Sequence, residues 1–325
     1  MTIATPIGMI SNMNLIVSKV SIVIVNWNAG IQLYELLRSI SSTHIAVIES
    51  VIIVDNASID ESIAKIEDIK CLPFPCIIIR NDRNRGFAAA CNQGACLSSS
   101  EYLLFLNPDT VLEADSISKS ILFMQRKENL NIGICGIRLV KEDGIPTTAA
   151  ARFPTLRVLF GGSFGLSKVF PKTFPAHFIN SSELMDNCIV DQVIGAFFLI
   201  RKSVFDLCEG FDERFFVYFE EVDLSIRAKR FGYSSYYLAD ASAFHKGGGC
   251  SDRVKSVRLF YSMRSRLLYA KKHYSELAVA SVIVLTIIEF PLRIISSVLV
   301  GSFDDFKNTC SAYLRLVSNF RGSSF

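Results

Sequence analysis

The chain has 325 residues, half of them hydrophobic and 20% charged, with a formal net charge of +3. That length allows one large or two small domains and a substantial core, and the composition excludes a chain disordered throughout, while 18 Gly and 9 Pro exclude the collagen-like and Pro-rich classes. A charge so near zero argues against a protein coated in basic residues, so no nucleic-acid partner is expected.

In chain order, residues 1–19 read as an N-terminal extension. The first 28 residues lack the basic start, apolar block and small-residue cleavage site of a secretion signal. Four short apolar runs follow: Val20–Val25, Val51–Val54, Cys76–Ile79 and Tyr102–Leu106. Continuous β-branched and aromatic runs of this length suit strands buried on both faces. Helical patterns separate them. Leu33, Leu36, Leu37 and Ile40 share one 3.6-period stripe. Ser58 with Glu61 has the spacing of a capping box opening a helix through Ile66. Gly86–Cys96 is Ala-rich, and Val111–Arg126 is a fourth helical candidate. Such alternation predicts a parallel sheet with helices on its faces.

Residues 141–188 carry four prolines, Pro146, Pro154, Pro171 and Pro175, and no long period, so an elaborated loop region is expected there. A strand over Val193–Ile200 follows, then a helix from about Phe219 to Arg230 stopped by Gly232, then a strand over Tyr236–Phe244.

Between Asp252 and Tyr274 seven Lys/Arg stand against one acid, a net of +6 that leaves −3 for the rest of the chain. Apolar residues 277–288 come next, then Glu289-Phe-Pro-Leu-Arg293, then apolar residues 294–300. A membrane-crossing helix needs about 20 apolar residues with few charges. Glu289, Pro291 and Arg293 interrupt this one, so it reads as lying at a bilayer interface, with the basic segment facing anionic lipid. The alternative is a buried C-terminal helix pair with a solvated basic face. The nine cysteines are scattered, without a C-x-x-C pair, and read as free thiols of a reducing cytoplasm.

Each early strand ends in polar residues: Asn26-Trp27-Asn28, Asp55-Asn56, Arg80-Asn81 and Asn107-Pro108-Asp109. Singly these are ordinary turn residues. Together they would line the carboxyl rim of a parallel sheet, where ligands bind. The first strand is not followed by G-x-G-x-x-G, and the chain contains no G-x-x-x-x-G-K-[ST], so dinucleotide and P-loop readings are weak. Asp109 could present a carboxylate to a hard cation. His245 ends a late strand beside Lys246 and Gly247–Gly249, a hinge that would let a loop close over a substrate. Glu220, Glu221 and Asp223 crowd the first turn of a helix after five residues of which four are aromatic, a setting for a general base. Helix-dipole complementarity would account for one or two of them without any catalytic role.

These strings resemble the inverting family 2 glycosyltransferases of GT-A fold, most of all their bacterial rhamnosyltransferase-like branch. The matching segments are residues 20–30, 51–60, 81–94, 102–112, 195–232 and 245–249. The resemblance implies an α/β fold: a Rossmann-like, mostly parallel sheet flanked by helices over residues 20–250, with a nucleotide-binding half of about 20–130 and an acceptor half of about 131–250. Residues 251–325 would form a helical, membrane-associating extension. It implies nucleotide-sugar contacts from Asn26, Asn28, Asp55, Asn84, Arg85, Gly86, Asn107 and Asp109, with Asp55 at the nucleobase. It implies acceptor contacts from Gly195, Ala196 and Asp223. Asp109 holds the last position of the family's D-x-D motif, whose first position is Asn107 here, and His245 is the family's other metal position. Mg²⁺ or Mn²⁺ is the implied cofactor. The base is the second acid of the pair, Glu221, with Glu220 an alternative because the pair is Glu-Glu.

The implied reaction is transfer of L-rhamnose from dTDP-rhamnose, with inversion, to a polyprenyl-diphosphate-linked saccharide. The place would be the cytoplasmic face of the inner membrane, in O-antigen or related polysaccharide synthesis. A UDP-sugar donor, an inactive sugar-nucleotide-binding membrane protein and a soluble nucleotidyltransferase are the competing readings.

Overall fold

A computed structural model describes residues 18–43, 45–67, 69, 71–247 and 254–322. Most of the N-terminal extension, Gly248, Gly249 and Cys250, and Asp252 and Arg253 of the basic segment lie outside the described residues.

The first half alternates strand and helix as the apolar runs dictate: β1 (Val20–Asn26), α1 (Ile31–Ser41), β2 (Ile48–Asp55), α2 (Ser62–Glu67), β3 (Cys76–Arg80), α3 (Phe87–Ala95) and β4 (Tyr102–Leu106). β1 and β4 are buried along their whole length, as strands sandwiched between helix layers must be. These four strands are mutually parallel in the order β3-β2-β1-β4. The order reverses about β1, which makes its carboxyl end a topological switch point.

The chain continues through β5 (Thr110–Leu112), α4 (Ser116–Gln125), β6 (Ile132–Val140), β7 (Ala150–Ala151), α5 (Leu156–Ser163), α6 (Leu166–Val169), β8 (Cys188–Val190), β9 (Gln192–Val193), β10 (Phe197–Arg201), α7 (Lys202–Leu207), α8 (Glu220–Arg230) and β11 (Ser234–His245). The sheet extends from β4 through β10, β6 and β11 to β5. β10 is antiparallel to both of its neighbours, so this half is mixed.

Three local expectations are corrected. The Ser58–Glu61 capping box does not form: the Ser58 hydroxyl accepts from Asn26 Nδ2 at 3.0 Å and from the Asn28 N–H at 2.9 Å, and α2 begins at Ser62. The Val111–Arg126 helix is shorter, because Thr110–Leu112 pairs as β5 with residues 243–245 of β11. The 141–188 segment contains α5, capped by the Thr155 hydroxyl accepting from Val158 N–H, together with β7 and α6.

The C-terminal part is α9 (Lys255–His273), α10 (Glu276–Leu299) and α11 (Phe303–Gly322). α10 runs unbroken through Glu289, Pro291 and Arg293. It is long and apolar enough to cross a membrane, by length and composition alone. One face, with Val282, Leu285, Thr286 and Glu289, is buried; Ile287 is 64% exposed and Leu299 81%. Glu289 is tied into the protein by Arg266, whose Nη1 and Nη2 donate to its two oxygens at 2.7 and 2.9 Å, and by the Ser163 hydroxyl.

Candidate active site

The carboxyl ends of β1 and β2 are knitted together. Asn26 is fully buried, and its Nδ2 donates to Asp55 Oδ1 (2.8 Å), Ser58 Oγ (3.0 Å) and Ser62 Oγ (2.8 Å). Asp55 Oδ2 also accepts from the Ser58 N–H at 3.3 Å. Asn28 adopts a left-handed φ of 54° and accepts from the Ile59 N–H at 2.8 Å. Next to this rim, Asn56 Nδ2 donates to the Gly86 carbonyl (3.0 Å), while its Oδ1 accepts from Asn81 Nδ2 and the Arg85 N–H. Asn84 Oδ1 accepts from the Gly86 N–H at 2.9 Å. Gly86 has φ 90°, and a Cβ there would sit 2.5 Å from the Phe216 carbonyl, the acceptor of the Phe87 N–H. Only glycine fits both conditions.

A cavity of about 950 Å³ opens beside this rim. Its walls include Trp27, Asn56, Asn84, Gly86, Asn107, Asp109, Glu221 and His245. Asp109 and His245 meet because β5 pairs with the end of β11, Thr110 opposite His245. His245 Nε2 lies 3.4 Å from Asp109 Oδ1, and the Lys246 N–H donates to the Asp109 carbonyl.

α8 places its acids differently. Tyr218 and Phe219, just before it, are both left-handed (φ 68° and 71°), a conformation that costs non-glycine residues about 1–3 kcal/mol each. Glu221 lines the cavity, and the Gly195 N–H hydrogen-bonds to its carboxylate. Burial pushes the Glu221 carboxyl up. Glu220 points inward and is 2% exposed, with Oε2 unpartnered among the described residues. Burial, and then the charge of Glu221, hold Glu220 well above the usual carboxylate range.

The three expected acceptor residues do not line the cavity. Gly195 sits against Glu221, close enough that a Cβ would overlap Glu221 Oε1. Ala196 is buried, its carbonyl accepting from the Asn107 N–H and the Thr110 hydroxyl. Asp223 is fully buried: Oδ1 faces Lys272 Nζ (2.7 Å) and His273 Nε2 (2.8 Å) of α9, and Oδ2 accepts from Arg227 Nε (2.8 Å). Burial pushes this carboxyl up, but the His273 contact and the charges of Arg227 and Lys272 outweigh it and hold it low. Asn26, Asn28, Asp55 and Arg85 do not line this cavity; they belong to the rim beside it, where Arg85 is exposed.

Other wall residues escape the sequence patterns. Asn56 is signalled only by its place after Asp55. Phe216 stacks on Tyr261 of α9, ring centroids 4.4 Å apart and planes 10° apart, and both line the cavity. Arg293 of α10 lines it too, as do Arg258 and Arg266 of the basic segment, which reads in sequence as a lipid-facing surface.

Residues 21–207, more than half of the chain, match the family model described as glycosyl transferase family 2. The chain belongs to this family. It is 28% identical over 147 residues to Rhamnosyltransferase WbbL of Escherichia coli K12, covering 45% of this chain and 52% of that protein, so the match spans about half of WbbL. It is 25% identical over 272 residues to the N-acetylglucosaminyl-diphospho-decaprenol L-rhamnosyltransferase of Mycobacterium tuberculosis, covering 78% of this chain and 84% of that one. It is 25% identical over 263 residues to the low-salt glycan biosynthesis hexosyltransferase Agl10 of Haloferax volcanii, covering 79% and 76%. The GT-A fold recurs in two solved glycosyltransferases. GalNAc-T7 with UDP, GalNAc and Mn²⁺ has TM-score 0.55 and 15% identity over 71% of this chain and 44% of that one. The mannosyltransferase PcManGT of Pyrobaculum calidifontis with GDP-Man and Mn²⁺ has TM-score 0.53 and 13% identity over 95% and 76%.

Proposed function

We propose that this chain is an inverting rhamnosyltransferase that moves L-rhamnose from dTDP-rhamnose to a hydroxyl of a polyprenyl-diphosphate-linked saccharide, in cell-surface polysaccharide or O-antigen synthesis. The observation that carries the chemistry is the cavity shared by Glu221, Asp109 and His245 at the carboxyl edge of the sheet. Two relatives named as rhamnosyltransferases support the donor, and the decaprenol-linked name of one supports the lipid acceptor.

The nucleotide lies over the rim of β1, β2 and the Asn84–Gly86 loop. Asp55, held by Asn26 and Ser58, reads the base. Asp109 and His245, a carboxylate and an imidazole 3.4 Å apart on the cavity wall, would hold a divalent ion, Mg²⁺ or Mn²⁺. Bound there, the ion would supply positive charge to the departing diphosphate. Glu221 takes the proton of the acceptor hydroxyl. The hydroxyl oxygen bonds to the anomeric carbon on the face opposite the diphosphate, whose C–O bond breaks with its electron pair, so the configuration inverts. The burial of Glu220, 2% exposed, favours Glu221 over it as the base.

The exposed apolar face of α10 and the basic α9 support a peripheral seat at the cytoplasmic face of the membrane. Agl10, named a hexosyltransferase and matched over most of its length, favours a second reading: the same chemistry with another hexose donor. Nucleotide release from dTDP-, UDP- and GDP-sugars, assayed on membranes supplying acceptor, tests the donor. Release from dTDP-rhamnose alone is expected; release from a UDP- or GDP-sugar instead would discard rhamnose and keep the family.

A further inference from the structure

We infer that Gln192 of β9 and His177 hold the terminal sugar of the acceptor by hydrogen bonds to its hydroxyls, an inference that rests on the saccharide-acceptor reading above. Both side chains line the same cavity as Glu221. Gln192 is only 4% exposed, its amide has no hydrogen-bond partner among the described residues, and neither amide atom is sealed from the cavity. Buried amides are ordinarily hydrogen-bonded, so one left open in a cavity wall points to a ligand that completes it. The His177 imidazole has no partner among the described residues either; its Nδ1 is buried, which leaves Nε2 to meet a ligand. Burial pushes this imidazole down and keeps it neutral. Gln192 thus offers an oxygen that accepts and an NH₂ that donates, beside an uncharged ring nitrogen. A sugar hydroxyl, which donates and accepts and carries no charge, matches this set. A phosphate group only accepts and calls for cations, which neither side chain supplies.

The fold puts the pair beside the base. Ala151 of β7 pairs with Gln192 on one side and bridges to Phe178 on the other, and the Arg152 N–H donates to the His177 carbonyl at 2.8 Å. Gln192 and the 177–178 segment are therefore the two outer strands of one small ribbon. Phe178, 56% exposed, lines the cavity as well, its ring centroid 4.8 Å from that of His177, and offers an aromatic face to the C–H groups of a sugar ring. Gly195, whose N–H holds Glu221, lies three residues beyond Gln192, at most about 10 Å along the chain. The terminal sugar fits that interval, with its attacking hydroxyl at Glu221 and its other hydroxyls at Gln192 and His177. The donor rim is built from β1, β2 and the Asn84–Gly86 loop, so donor and acceptor are held by different walls.

The test is equilibrium binding to the full chain of farnesyl diphosphate and of the same lipid carrying N-acetylglucosamine, glucose or galactose, for wild type, Gln192→Met, His177→Phe and the double variant. Binding of dTDP and UDP is measured alongside, as a check of the donor side. The expected result is that wild type binds at least one sugar-bearing lipid about tenfold or more tighter than bare farnesyl diphosphate. Each single variant should weaken that preference and the double variant abolish it, with bare-lipid and nucleotide binding unchanged. A preference kept in the double variant would overturn the assignment of Gln192 and His177. Loss of nucleotide affinity with the sugar preference intact would overturn it too, placing the pair in the donor site. Wild type that prefers none of the sugar-bearing lipids would overturn the saccharide-acceptor reading beneath it. If the double variant does not fold, the single variants decide by the same comparison.

Discussion

The Glu221 carboxylate fills the space that a side chain on Gly195 would need, and the Gly195 N–H hydrogen-bonds to it. A loop between β9 and β10 therefore fixes the first turn of α8. A methyl group at 195 must push Glu221 aside. Gly195→Ala is expected to lower kcat by about 10²-fold, the cost of a displacement near 1 Å at a reacting group, while leaving the unfolding temperature near wild type. Steady-state kinetics with a thermal melt check this; full activity would mean that Glu221 is not held there.

Glu220 and Glu221 should separate cleanly on mutation. Glu221→Gln is expected to lose at least about 10²-fold in kcat with donor binding kept, and Glu220→Gln to keep most of its turnover. Because burial raises the Glu221 carboxyl, activity should fall on the acid side with a midpoint above that of an ordinary glutamate. Glu220 also has a raised folded value. Its protonated form therefore favours the native state, and stability is lost as pH rises past the unfolded value of about 4.3. Glu220→Gln should remove that loss and raise the unfolding temperature at neutral pH. A pH–rate profile and melts of both variants decide.

Asp109→Asn and His245→Ala should each raise the Mg²⁺ or Mn²⁺ concentration for half-maximal turnover by about tenfold or more, since each removes a proposed direct ligand. Titration of metal against nucleotide release reads this. Unchanged half-saturation in both variants would remove the ion from this pair.

Glu289→Ala leaves Arg266 buried without its partner and should cost about 3–5 kcal/mol, read as a lowered urea midpoint. Arg266→Met/Glu289→Leu should cost less. Burial pushes the Glu289 carboxyl up, but Arg266 and Ser163 outweigh it and hold it low. Its contribution to stability is then present above the unfolded value of about 4.3 and is lost as pH falls toward the folded one. Urea midpoints measured down to pH 3 should show that loss in wild type and not in the double variant.

The parallel half was legible because its strands are unmixed apolar runs, and Asn26, Asp55 and Asn107 mark their ends. β6 was not: Gly133 and Gly136 break its run, and they are there because Cβ atoms would lie 2.8 Å from Tyr233 Cβ and 2.6 Å from Val193 Cβ. Asp109, His245 and Glu221, far apart in sequence, line one cavity. Asp223 reads in sequence as one more acid at a helix start; its partners, Lys272 and His273, are 49 and 50 residues away and become neighbours only when α9 packs on α8. Sequence separation also hid Glu289, 23 positions from Arg266 and 126 from Ser163, which in sequence interrupts an apolar run and in the fold is the anchor of that helix. Long-range pairing of charge leaves no local period to read.

The most direct test of the central claim is the anomeric configuration of the product, determined by NMR after transfer from dTDP-rhamnose, with Glu221→Gln as the matched control. The account predicts a glycosidic bond of opposite configuration to the donor's and no product from the variant. A product with the donor's configuration retained, or undiminished transfer by Glu221→Gln, would contradict single displacement with Glu221 as its base.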